Sequence, residues 1–104
     1  MPAKLTILGH EITVYCENPK EWADDGLGRA DYGKGVVRLS SQMSDDALCC
    51  VFLHELIHLT TGCISDLKLS ETQIDIVASG LYTFLQKHTN YKATVLALVR
   101  GEDQ

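Results

Sequence analysis

Two short stretches near the N-terminus alternate apolar and polar residues, 4–8 (KLTIL) and 11–15 (EITVY). Period-two alternation is the pattern of a strand with one face in a core. The Gly9-His10 pair between them predicts a hairpin. Residues 16–34 break the pattern with Pro19, Gly26, Gly28, Gly33 and the Asp24-Asp25 pair, and read as an irregular loop with Trp22 as its anchor. Residues 35–39 (GVVRL) form a third expected strand.

After Ser44 the period changes. Ser44-Asp45-Asp46 has the form of a helix N-cap with acidic first-turn residues, and Gly62 that of a C-terminal stop. Between them, residues 47–59 are apolar almost all the way round, as in a helix buried on every side. The polar exceptions are His54, Glu55 and His58. A second helix is expected to start near Ser70, where Gln73 completes an S-x-x-Q capping box, and carries Ile74, Val77, Ala78, Leu81, Phe84 and Leu85 at helical spacing. A third runs from Asn90 to Arg100 and ends at Gly101. The order is β-β-loop-β-α-α-α, an α+β domain.

Composition narrows the function classes. With 104 residues the chain makes one domain. A formal charge of −5 and the absence of any basic run argue against nucleic-acid binding. No apolar run approaches a membrane span, and MPAKLTILGH lacks the layout of a signal peptide. The expected location is therefore the cytoplasm, with Cys16, Cys49, Cys50 and Cys63 as free thiols.

His54-Glu55-Leu56-Ile57-His58 is an H-E-x-x-H motif on a predicted helix. Residues four apart lie about 40° apart around the axis and ~6 Å along it, so two imidazoles can face one ion. Glu55 cannot ligate in the same plane, but it can reach a water in an open coordination position and act as general base. The polar trio also needs partners, because unpaired polar groups in a buried helix are costly. The plain alternative is a pair of hydrogen-bonded core histidines beside an exposed glutamate.

A catalytic zinc needs a third protein ligand and a free position for water. Downstream candidates are Cys63, Asp66, Glu71 and Asp75. Glu71 is preferred, because it opens the second helix after a loop long enough to fold that helix back. Asp75, one turn on, is placed to accept a hydrogen bond from the non-ligating nitrogen of a zinc-bound histidine. Taken alone, Glu71 reads as a first-turn carboxylate favoured by the helix dipole. Beside HExxH, ligation is the better reading.

HELIH followed by Glu71-x-x-x-Asp75 resembles the gluzincin arrangement of zinc metallopeptidases. The resemblance implies Glu71 as third ligand and Asp75 as orienter of a histidine. The whole chain is similar to the very short metallopeptidase-like proteins of phages and prophages, related to the ImmA/IrrE-type peptidases. The shared features are the ILGHEI hairpin, a glycine-containing loop, a strand and the HExxH helix. After these come Leu67, Glu71, Asp75, Ala78, Gly80, Leu81 and Tyr82, with the ExxAN element of that type aligning on Glu71 to Asp75. It implies one minimal zincin-like metallopeptidase domain over 1–104, with a small antiparallel sheet of about three strands before three helices. It further implies Zn²⁺, a peptide or protein substrate, and the cytosol of a bacterial host. The chain is too short for a second domain walling the cleft, so the expectation is narrow specificity, weak activity, or a protein partner that completes the cleft. The rival expectation is a non-catalytic, zinc-stabilised protein that binds a host or phage regulator.

Other residues receive plainer readings. Asp66 and Cys63 remain weaker ligand candidates. Cys50, one turn before His54, is a small core residue near the metal position. Tyr82 is packing, Tyr32 a positional candidate for transition-state stabilisation, His10 a turn residue and His88 a helix C-terminal residue. A peptide substrate is expected to lie beside the strand at 35–39 by strand addition.

Overall fold

The computed structural model describes residues 2–21, 26–31, 33–64 and 67–101, with the backbone alone for 21, 63 and 64. Trp22, Tyr32 and Asp66 lie outside the described residues, as does the side chain of Cys63. The described residues form an α+β fold with a four-stranded mixed sheet and three helices.

The hairpin joins β1 (Ala3–Ile7) to β2 (His10–Glu17), and Ile7 pairs with His10. The turn is therefore Leu8-Gly9 rather than Gly9-His10, and His10 opens a strand. Both turn residues have positive φ, 49° at Leu8 and 82° at Gly9. That is the requirement of a type I′ turn, whose twist matches its strands. Leucine meets it badly, since its Cβ crowds the following carbonyl. Leu8 is 68% exposed and has little packing to lose. Leu8→Asn is expected to stabilise the fold by about 1 kcal/mol, raising Tm by about 4–8 °C; an unchanged melting curve counts against strain at this turn.

After β2 and a short 3₁₀ turn at Pro19–Glu21, the chain enters β3 (Gly28–Asp31) and returns as β4 (Val36–Ser40). The sheet order is β1-β2-β4-β3, with β2 and β4 parallel and the outer pairs antiparallel. This corrects the expectation of a three-stranded antiparallel sheet and of an irregular loop across 16–34. β3, with the sequence GRAD, carries no large apolar residue. Its glycine is there for proximity, because a methyl group at Gly28 would come within 2.6 Å of Val51 Cγ1.

Ile12, Val14, Val37 and Leu39 point from the sheet into the core and are almost fully buried. They meet Leu48, Cys49 and Phe52 of α1 (Asp45–His58). No residue from 47 to 60 is exposed, so α1 is the central element. Ser44 Oγ accepts from Ala47 N at 3.2 Å and starts the helix. Gly62 does not stop it: the chain widens directly into a π-helical segment, Leu59–Ile64. There the Thr60 and Thr61 hydroxyls donate to the Leu56 and Ile57 carbonyls, an alternative to regular α winding. Leu59, fully buried, anchors the segment.

The helix α2 (Glu71–His88) begins at the Ser70–Gln73 capping box, both of whose bonds form, and buries Ile74, Ala78 and Tyr82. Then α3 (Tyr91–Arg100) packs against α1 and α2 and ends at Gly101. One carboxylate ties the three helices together: Asp46 Oδ1 accepts from Tyr82 Oη at 2.8 Å and lies 3.0 Å from Lys92 Nζ. These two bonds hold Asp46 below the ordinary carboxylate pKa. None of the described helices is long and apolar enough to cross a membrane.

Candidate metal centre

Three elements meet at the C-terminal end of α1. Its last turn presents His54 and His58 on one side, as four-residue spacing dictates. The first turn of α2 presents Glu71 against them, and Asp75 follows one turn later. β3 closes the third side.

The two Nε2 atoms lie 3.1 Å apart. Glu71 reaches both rings, Oε1 at 3.2 Å from His54 Nε2 and Oε2 at 2.8 Å from His58 Nε2. One ligand atom from each residue fits within a 4.8 Å span. Two nitrogens bound tetrahedrally at ~2.0–2.1 Å from zinc sit about 3.3 Å apart, so the spacing suits such an ion. The donor chemistry also suits it. His54 Nδ1 is 2.9 Å from Asp75 Oδ1 and donates to it in the neutral ring, which turns the Nε2 lone pair toward Glu71 and His58. Lone-pair donors facing one another across a shared point are matched by a cation.

The histidine side chains are mostly buried, at 18% and 16% exposure, whereas Glu71 and Asp75 are 70% and 66% exposed. Among the described residues, the cluster is thus anchored on its α1 side and open on its α2 side. Glu55 differs from the plain expectation of an exposed glutamate: it is only 7% exposed. Burial pushes its carboxyl up to about 7, with His54 pulling it down and Glu71 adding to the rise. A cation held between those two neighbours would lower it again.

A polar cavity of ≈340 Å³ joins Glu55 and the three cluster residues to the backbone of β3. An apolar cavity of ≈290 Å³ adjoins it behind His54 and Glu55, walled by Leu27, Cys50, Val51 and Ala78. Cys50 therefore lines a cavity beside the cluster and is no part of it. Cys16, Cys49 and Cys50 are free. Tyr82 is spent on packing and on Asp46. His10 starts β2, and His88 ends α2 with its ring 4.8 Å from Phe84.

Sequence reading missed β3 as part of the site. β4 is covered by β2 on one side and β3 on the other, so the strand at 35–39 cannot accept another strand. β1 and β3 are the edge strands, and β3 is the one beside the cluster. Ser40 N donates to Leu27 O, and this register turns the N–H and C=O of Gly28 and Ala30 away from β4. The turn-forming run Asp31-Tyr-Gly-Lys-Gly35 between GRAD and VVRL was the available hairpin signal. Comparison with protein-family models, with curated proteins and with solved structures finds no match to the chain. The functional reading therefore rests on the site itself.

Proposed function

We propose that the protein is a zinc-dependent metallopeptidase of minimal zincin-like build, with His54, His58 and Glu71 as ligands and Glu55 as general base. The observation that carries this reading is the asymmetry of the cluster. Among the described residues, two mostly buried histidines and one exposed carboxylate leave a side open to solvent, where a structural zinc site is closed by four protein ligands.

Bound Zn²⁺ supplies a Lewis acid for the scissile carbonyl and a water acidified toward a pKa of ~7. The chain's own residues do the rest. Asp75 fixes the tautomer and ring orientation of His54. Glu55 faces the same cavity as the ligands, takes up the proton of the attacking water and passes it to the leaving amine. The outward N–H and C=O groups of Gly28 and Ala30 give an extended peptide main-chain partners along β3, and the adjoining apolar cavity receives one of its side chains.

The test is hydrolysis of a peptide library by zinc-loaded protein, with chelation abolishing cleavage and added zinc restoring it. One tightly bound zinc per chain with no cleavage of any peptide would favour a zinc-stabilised binding protein instead. Asp75→Asn separates orientation from ligation. Zinc affinity is expected to fall about 10–100-fold with the ligand set intact; an unchanged affinity by competition titration rules out that role.

A further inference from the structure

We propose that the outer face of α2 is a homodimer interface, on which α2 of a second copy packs antiparallel. This inference does not depend on the peptidase reading.

Residues 76–86 contain no Asp, Glu, Lys or Arg. In α2, Ile74, Ala78 and Tyr82 face the core, while Glu71 and Asp75 face the cleft. The side away from both carries Ile76 at 67% exposure, Val77 at 43%, Leu81 at 45% and Phe84 at 58%. Scattered exposed apolar residues need no explanation, but a continuous uncharged stripe does. Gln73, Val77, Gly80 and Phe84 follow one another at steps of four, three and four, the seam spacing of paired helices. At Gly80, in the middle of the seam, no atom lies within 4 Å of where a Cβ would be. The result is a notch beside a projecting phenyl ring.

A second copy fits this face better than a charged partner. The chain carries a net charge of −5, yet the stripe carries none of the acidic residues, so two copies meet here without apposing like charges. A two-fold axis at the level of residue 82, midway between Gly80 and Phe84, sets the Phe84 ring of each copy against the notch of the other, an isologous contact. Antiparallel packing also places opposite ends of the helix dipoles together. The four apolar side chains expose on the order of 400 Å², so two copies bury about 800 Å² of apolar surface. Polar rim residues such as Thr83 and Lys87 bring the total near the ~1,200 Å² lower limit of specific interfaces. An interface of that size is at the small end of specific contacts, and a weak dimer is expected. The cleft stays open in it.

Sedimentation equilibrium of the full chain in reducing buffer, from low micromolar to millimolar, tests this. The average mass is expected to climb from 11.5 kDa toward twice that value. Phe84→Asp should stay at 11.5 kDa throughout with an unchanged far-UV spectrum. Gly80→Leu, which fills the notch and favours the helix, should weaken association at least about tenfold. If Phe84→Asp loses helical signal, the Gly80→Leu result decides. A wild-type chain that remains monomeric at millimolar concentration overturns the proposal, and so does a Gly80→Leu variant that dimerises as well as wild type.

Discussion

Glu55→Gln is expected to leave zinc content and fold intact and to cut peptide turnover about a hundred- to ten-thousand-fold. The replacement keeps shape and volume, which matters because Glu55 sits at 7% exposure with the Gly28 backbone against it. What it removes is basicity, since an amide has no carboxylate to receive the proton of the attacking water. Folding should not suffer. Burial already drives this carboxyl up to about 7, so the position tolerates a neutral group at least as well as an anion. Metal analysis and thermal melting establish the first half, and kcat on a cleaved peptide the second. Turnover at the wild-type rate in a zinc-loaded variant removes Glu55 from the mechanism.

The second large effect concerns the metal and the fold together. His58→Ala leaves His54 and Glu71 as an incomplete set and should abolish stoichiometric zinc binding. An ion that binds only the folded chain stabilises it by about 2.7 kcal/mol at a free concentration a hundred times Kd. For a domain near 100 residues that corresponds to a Tm gain of about 10–20 °C, which wild type should show on zinc addition and the variant should lack. Without zinc the two proteins should melt much closer together, because the His58 side chain is at the edge of the core. A zinc-dependent Tm gain retained by His58→Ala places the ion elsewhere.

The helical half of the fold was legible in the sequence because its signals are local. Ser44, the Ser70–Gln73 box and Gly101 each act through their own backbone or the next turn, and all mark real helix ends. The continuous apolar run of α1 likewise announced a helix surrounded by protein. The sheet was less legible, since a strand's place depends on distant partners. β3 has no alternating apolar pattern to announce it, because Gly28 must be small to pass Val51 and Glu55. The parallel pairing of β2 with β4 leaves no trace in either segment. Gly62 misled for a related reason: the threonines before it rewind the helix rather than ending it.

The spacing that brings His54, His58 and Glu71 to within 4.8 Å of one another was visible as a motif for two of them. The third required α2 to run back along α1, which the sequence suggested only by loop length. The openness of the cluster, and the edge strand beside it, could be seen only in three dimensions.

Beside the burial of Ile74 and Ala78, the antiparallel course of α2 along α1 is held by polar contacts at two distant points, Tyr82 on Asp46 near one end and Glu71 with Asp75 on the histidines at the other. On the proposed zinc reading, withdrawing the ion loosens only the second fastening. Helix opening then proceeds as a peel from Ser70 inward, with Tyr82 as the pivot. In amide hydrogen exchange this appears as a gradient: protection lost in the first turns of α2 on metal removal, kept beyond residue 82, and unchanged in α3.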